Sequence, residues 1–321
     1  MSRLRVVFCG TPQFAVPSLE RLLSQPEYDV VGVLTQPDRP RGRGQELAFP
    51  AVKKAALSAA IPVHQPAKIR APEVDEQLRG LGPDVVVIIA YGQIIPARLL
   101  AIPRLGWINL HASLLPQYRG AAPIAWAIAN GETVTGNTTM RIDAGMDTGE
   151  MLLQQRLPIG AHETAPELAE RLAEAGAELL VETLGGLRSK MLESRPQPGA
   201  GVSYAPLLKR EDGRIDWGRP AQEIYNRMRG FTPWPGAYTE FRGQTCHVWG
   251  RPSRESVSHS SAQAAARPGT LLAADGALLV ACGTATRIEL SHVKLEGRKQ
   301  VSVQEFANGA HLRPGERFGQ L

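Results

Sequence analysis

Trp107-Ile108-Asn109-Leu110-His111-Ala112-Ser113-Leu114-Leu115-Pro116-Gln117-Tyr118-Arg119-Gly120 runs from an apolar, strand-like segment into a turn rich in Ser, Pro and Gly. In a strand, residues two apart share a face. Asn109 and His111 therefore project together, about 6–7 Å apart along the backbone, while Leu110 points into the opposite layer. An amide donor and a group titrating near neutrality then stand at the carboxyl end of a strand, where ligands bind in open α/β sheets. Such a pair can polarise a carbonyl and manage a proton.

The segments before this stretch predict the sheet it belongs to. Leu4–Cys9 is a short Val/Phe-rich strand ended by Gly10-Thr11-Pro12. Val16, Leu19, Leu22 and Leu23 follow at helical spacing, and Asp29–Leu34 is a second strand. Asp84–Ala90, with Val85-Val86-Val87-Ile88-Ile89, is apolar on both faces, as a central parallel strand must be. This alternation predicts a parallel sheet with crossover helices. Only Gly10 follows the first strand, so the dinucleotide glycine series fails.

Beyond the opening stretch, Thr135–Ile142 reads as a strand ended by Asp143-Ala144-Gly145-Met146-Asp147-Thr148-Gly149, and Met151–Pro158 as another. Leu168, Leu172, Ala175 and Leu179 line one face of a long helix. Residues 190–208 include Arg195-Pro196-Gln197-Pro198-Gly199 and read as a linker between a domain at 1–189 and a second at 209–321. Short strand candidates at Ala237–Phe241, Thr245–Trp249, Gly269–Ala273, Ala277–Cys282 and Arg287–Val293, with a helix near Ala221–Arg229, predict a small β-barrel.

The 321 residues, 43% of them hydrophobic, are enough for two cored domains. No run of about 18 apolar residues is present, so no membrane span is expected. Met1 to Cys9 passes almost directly into a strand, which predicts no signal or transit segment. Cys9, Cys246 and Cys282 have neither zinc nor disulfide-framework spacing and fit a reduced cytoplasm. Residues 1–189 carry 18 Lys+Arg and 19 Asp+Glu, a net −1, whereas residues 190–321 carry 18 and 12, a net +6. The basicity belongs to the second part, which suits either an acidic partner such as nucleic acid or a solvated basic face. Gln36–Gln45 holds three arginines, Arg39, Arg41 and Arg43, and nothing to bury. It reads as an exposed mobile loop, either merely solvated or an arginine arm for phosphates.

Asn109, His111 and Asp147 come from separate strand ends and are expected to converge. Asn109 can donate to the oxyanion of an attacked carbonyl. His111 can donate when charged or accept a proton when neutral, and Asp147 can fix its tautomer. No Ser or Cys has a nucleophile-elbow context, so direct transfer between two substrates is preferred to a covalent intermediate. Singly, each residue could be a turn former or a satisfied core group. A metal on His111, Asp143 and Asp147 has no zinc spacing, and none is expected.

Asn109-Leu110-His111-Ala112-Ser113-Leu114-Leu115-Pro116, Tyr118-Arg119-Gly120 and Asp143-Ala144-Gly145-Met146-Asp147-Thr148-Gly149 resemble the signature of tetrahydrofolate-dependent formyltransferases. Phe8-Cys9-Gly10-Thr11-Pro12, Thr35-Gln36-Pro37-Asp38-Arg39-Pro40, Gly42-Arg43-Gly44 and Arg229-Gly230-Phe231-Thr232-Pro233-Trp234-Pro235-Gly236 are similar to motifs of family members that act on an aminoacyl-tRNA. The resemblance spans nearly the whole chain. It implies a Rossmann-like, open, mostly parallel α/β sheet with flanking helices, followed by an OB-like β-barrel. It also implies formyl transfer from 10-formyltetrahydrofolate, without a metal, to the α-amine of initiator methionyl-tRNA by a cytoplasmic monomer. Catalytic roles carry over to Asn109, His111 and Asp147. A folate site carries over to Ser113, Leu114, Leu115 and Pro116, with Ile89, Ala90, Tyr91 and Asp143 as neighbours. The arginine loop matches an insertion that reaches the acceptor stem, with Arg39, Arg41 and Arg43 as tRNA contacts. The alternatives are a sugar-nucleotide amine formyltransferase with the same site, a folate-dependent hydrolase or dehydrogenase subunit, and a non-catalytic RNA-binding protein.

Overall fold

A computed structural model describes residues 3–41, 46–253, 266–274, 277–313 and 315–319. Arg43 and most of the polar loop around 253–266 lie outside them.

The elements run in order β1 (Leu4–Gly10), α1 (Val16–Leu23), β2 (Tyr28–Leu34), β3 (Arg39–Arg41), β4 (Glu46–Ala48), α2 (Ala51–Ser58), β5 (Val63–His64), α3 (Glu73–Leu81), β6 (Val85–Ile89), α4 (Ala97–Leu100) and β7 (Trp107–His111). They continue with α5 (Pro123–Ala129), β8 (Val134–Arg141), β9 (Met151–Pro158) and α6 (Ala165–Ser189). The strands assemble into one sheet of order β5-β2-β1-β6-β7-β8-β9. Pairing is parallel from β5 to β7, and antiparallel where β8 joins β7 and β9 joins β8. The sheet is thus mostly parallel, as expected. β6 shows why: Val85, Val87 and Ile89 enter one core, Val86 and Ile88 the other, and all five are buried. Chain order reverses between β1 and β6, which makes their carboxyl ends the switch point of the sheet.

The base of the arginine segment differs from the expected loop. β3 and β4 form a two-stranded antiparallel ribbon, Arg39 opposite Ala48 and Arg41 opposite Glu46. Its root is tied down by polar groups rather than by apolar burial. Lys53 Nζ donates to Asp38 at 2.6 Å, and Gln65 Nε2 donates to Asp38 at 2.8 Å and to the Gln36 carbonyl at 2.9 Å. These bonds hold the Asp38 carboxyl below the usual range.

Contact clustering divides the chain into two compact units. The first comprises Met1–Pro123, Val134–Pro158 and Glu167–Pro206; the second comprises Ile124–Thr133, Ile159–Pro166 and Leu207–Leu321. The second unit holds α7 (Ala221–Gly230), β10 (Tyr238–Phe241), β11 (Gln244–Pro252), β12 (Leu271–Ala274), β13 (Ala277–Ala281), β14 (Arg287–Leu295), β15 (Val301–Ser302) and α8 (Val303–Ala310). Its antiparallel sheet has the order β10-β11-β14-β13-β12, with β15 on β14. The strands are short and alternate as an OB-like barrel requires, but the order does not close on itself among the described residues. Phe241, Val248, Val280, Ile288 and Val293 face its core with Ile224 and Met228 of α7.

Arg229 explains how chain segments distant in sequence stay in this unit. It is only 6% exposed. Its guanidinium donates to the carbonyls of Gly160 and Glu163 and to Oδ1 of Asn226. Burial and these fixed acceptors need a planar fork with several donors, which Lys does not offer.

Candidate functional site

β7 and β8 build the site together. Register puts Asn109 beside Ile88 of β6 and opposite Met140, and His111 opposite Thr138. Asn109 is half-buried, and its side-chain amide makes no hydrogen bond among the described residues. His111 is 6% exposed. Its Nε2 lies 2.9 Å from the Tyr118 carbonyl, which can only accept, so this nitrogen carries a proton. Its Nδ1 lies 3.7 Å from Asp147 Oδ2. That is ion-pair range, longer than a direct hydrogen bond.

Two left-handed residues set this geometry. Tyr118 has φ +58 and Asp147 has φ +53. Asp tolerates that conformation better than most residues, and such backbone persists where surrounding contacts hold it. Asp147 Oδ2 accepts from the Gly120 N–H at 2.8 Å. Gln197 Nε2 donates to the Asp147 and Gly149 carbonyls at 2.8 and 2.9 Å. Gln197 Oε1 in turn accepts from Arg119 Nη2 at 2.7 Å. At Gly120, φ is +119 and a Cβ would stand 2.7 Å from the Ala205 carbonyl oxygen, so the close approach there requires glycine.

The segment Ser113–Pro116 is braced from β8. Thr138, fully buried, donates its hydroxyl to the Ser113 carbonyl at 2.7 Å. The same oxygen accepts from Leu115 N at 3.1 Å and Gln154 Nε2 at 3.0 Å. Ser113 gives its own hydroxyl to the Gln117 carbonyl at 2.6 Å. Leu115 packs with Met140 and Met151. Of the four residues, only Leu114 and Pro116 therefore present side-chain surface.

Ile89 and Tyr91 are buried and Ala90 is exposed, all at the end of β6. The exposed Asp143 spends its carboxylate inside its own loop, accepting from Gly145 N at 3.0 Å and Thr148 Oγ1 at 2.8 Å. It shapes the turn that presents Asp147. Among the described residues no group of three or more His, Cys, Asp or Glu could hold a metal.

A groove of about 960 Å³ opens at the switch point, lined among others by Thr11, Gln36, Arg39, Phe49, Lys54 and Tyr91. The buried hydroxyls of Thr11, Thr35 and Tyr91 at these strand ends have no hydrogen-bond partner among the described residues. Arg39 stands exposed, whereas only the backbone of Arg41 is described.

Asn109, His111 and Asp147 are thus brought to one strand end. Thr138, Gln197, Gln154, Gly120 and the Tyr118 carbonyl were missed in the sequence. Only Tyr118 and Gly120 stood inside a quoted motif, and Gln197 lies in the Pro/Gly-rich stretch where no periodicity marks it. All three cysteines are free and buried. Burial pushes the Cys246 and Cys282 thiols up to about 12 and Cys9 higher still.

The formyl transferase family matches residues 3–184, and the formyl transferase C-terminal domain matches residues 207–311. The chain is 53% identical over 317 residues to the methionyl-tRNA formyltransferase of Solibacter usitatus (strain Ellin6076), covering 99% of each chain. It is 51% identical over 319 residues to that of Koribacter versatilis (strain Ellin345), covering 98% of this chain and 99% of the relative. A solved sugar 3N-formyl transferase, WlaRD, crystallised with dTDP and 5-N-formyl-THF, shares the fold at TM-score 0.65 and 18% identity, across 93% of this chain and 100% of that one.

Proposed function

We propose that this chain, which belongs to the formyl transferase family, transfers the formyl group of 10-formyltetrahydrofolate to the α-amine of initiator methionyl-tRNA. The product, N-formylmethionyl-tRNA, serves translation initiation. The observation that carries the reading is the approach of Asp147, from the loop that follows β8, to His111 at the carboxyl end of β7, with Asn109 two residues before it on the same face of the strand.

The donor set suits the folate. Asn109 has an amide without a partner among the described residues, and Thr11 and Tyr91 line the adjoining groove. Ser113, Leu114, Leu115 and Pro116 would hold the folate with Ile89, Ala90, Tyr91 and the loop of Asp143. When bound, 10-formyltetrahydrofolate supplies the one-carbon group that the amine takes up. Asn109 donates its N–H to the carbonyl oxygen as negative charge develops there, an effect worth about 10²–10³ in rate. His111 gives Nε2–H to the Tyr118 carbonyl, so its Nδ1 is the position that gains a proton. Asp147 Oδ2 lies 3.7 Å from that nitrogen. The neutral ring can receive the amine's proton at Nδ1, directly or through one water, and the positive charge it then carries faces the Asp147 carboxylate. Arg39 and Lys54 beside the groove, with Arg41 and Arg43, meet phosphates near the aminoacyl end. The basic part at 209–321 carries the rest of the tRNA. We infer that the chain works as a monomer in the cytoplasm.

Formyl transfer to a sugar-nucleotide amine would use the same three residues. The arginine ribbon and the +6 balance of residues 190–321 favour RNA. The test is incubation with 10-formyltetrahydrofolate and either charged initiator tRNA or an amino-sugar nucleotide. Formyl-methionine on the tRNA is expected. Formylation of the sugar alone would replace the reading.

A further inference from the structure

The outward face of the second unit's sheet carries a ladder of rings. On β10 and β11 the side chains alternate, Phe241, Cys246 and Val248 going inward to the core. Tyr238, His247 and Trp249 go outward. Their centroids are 5.9 Å apart from Tyr238 to His247 and 6.4 Å from His247 to Trp249. Arg210 extends the row, its guanidinium 5.9 Å from the Tyr238 ring centre. Register adds Lys294 opposite His247 and His292 opposite Trp249 on β14. All three rings are half-buried, and the Trp249 indole N–H has no partner among the described residues.

Charge is distributed unevenly around this face. Several arginines of the unit are engaged: Arg214 with Glu240, Arg219 with Asp216 and Glu223, Arg242 with Glu316, and Arg229 with three carbonyl-type oxygens, while Arg298 and Lys299 stand exposed in the turn after β14. Arg210, Arg251 and Lys294, which flank the ladder, are exposed and form no ion pair among the described residues. Two acids are nearby: Glu289 stands directly opposite Arg251 on β14, and Glu296 follows Lys294 by two residues. Cross-strand aromatic pairs by themselves stabilise a sheet. That role does not call for Arg210 and Lys294, exposed and without an ion pair among the described residues, beside them.

We propose that this face is a stacking platform for unpaired nucleotides, with Tyr238, His247 and Trp249 under the bases and Arg210, Arg251 and Lys294 on the flanking phosphates. Rings plus uncompensated cations are the requirements for sequence-tolerant binding of single-stranded nucleic acid. The inference rests on the reading that the substrate is an RNA, and it adds the surface and the mode of contact. A base-paired stem hides its base faces, so the platform takes a loop or a single-stranded end.

The experiment measures binding of a fluorescently labelled single-stranded RNA decamer by the full chain, in parallel with formylation of methionyl-tRNA. Wild-type protein is expected to bind the decamer with an affinity that falls with salt. Trp249→Ala should weaken binding by about 5–150-fold, the worth of one base stack, and Trp249→Phe should restore most of it. Lys294→Gln should flatten the salt dependence. A wild type that does not bind, or Trp249→Ala binding as the wild type does with an unchanged melting temperature, overturns the platform. Should Trp249→Ala not fold, Lys294→Gln decides: an unchanged salt slope overturns it. Platform binding without formylation of methionyl-tRNA would instead refute the substrate and leave the platform standing.

Discussion

Replacing Thr138 by Val removes one oxygen and keeps the side chain's shape. That oxygen is fully buried and serves three partners: the Ser113 carbonyl at 2.7 Å, Leu115 N at 3.1 Å and Gln154 Nε2 at 3.0 Å. Gln154 keeps a second acceptor in the Leu115 carbonyl at 2.9 Å, so its loss is partial. Ser113 and Leu115 are left with an unpaired carbonyl and an unpaired N–H in the interior. At about 1–3 kcal/mol for each stranded group, Thr138→Val should lose about 3 kcal/mol. For a body of roughly 200 residues this corresponds to a fall in Tm of about 6–12 °C. The stranded groups belong to the segment assigned to the folate, so KM for 10-formyltetrahydrofolate should rise by about tenfold or more, one factor of ten for each 1.4 kcal/mol of lost positioning. Calorimetry of wild type, Thr138→Val and Thr138→Ser, with KM for both substrates, checks this. Thr138→Ser keeps the hydroxyl and should stay within about 1 kcal/mol of wild type apart from its missing methyl. A Thr138→Val protein with unchanged Tm and unchanged folate KM would refute the bracing argument.

Asn109→Ala should lower kcat by about 10²–10³ while folate binding persists; single-turnover kinetics with unchanged rates would remove Asn109 from the oxyanion position. Asp147→Asn keeps an acceptor for the Gly120 N–H but loses the charge facing His111, so kcat should fall by about 10² or more, and an unchanged kcat would disprove the coupling. Arg229→Met strands the Gly160 and Glu163 carbonyls and should lower thermal stability by about 3 kcal/mol, seen as an earlier calorimetric transition. The raised thiol pKa values mean that all three cysteines stay protonated and shielded at pH 8.5. A thiol reagent should then label fewer than one per native chain and three after denaturation, and fast native labelling would contradict their burial.

Much of the first sheet was legible because its signals are local. β6 is apolar on both faces, and β7 ends in a break, whatever surrounds them. The pairing of Asn109 with His111 follows from strand alternation alone. The ribbon β3–β4 was not legible, since its three-residue strands carry arginine and proline and are closed by backbone pairing that no side-chain pattern announces. The packing of residues 159–166 with α7 was equally hidden, because it rests on Arg229 reaching the Gly160 and Glu163 carbonyls, groups that every residue possesses.

By itself the chain determined the α/β class, the strand ends at Asn109 and His111, and a turn bearing Asp147, because hydrophobic period and turn chemistry act over a few residues. Only tertiary structure decided that Nδ1 of His111 faces Asp147 while Nε2 is spent on the Tyr118 carbonyl. Only it recruited Thr138 and Gln197, and gathered the unpaired cations around Tyr238, His247 and Trp249. Beyond the local His111–Tyr118 contact, these relations join groups distant in the chain, 25 residues apart for Thr138 and Ser113 and 50 for Gln197 and Asp147, and their geometry is fixed by backbone register and left-handed turns rather than by the identity of neighbours in the chain.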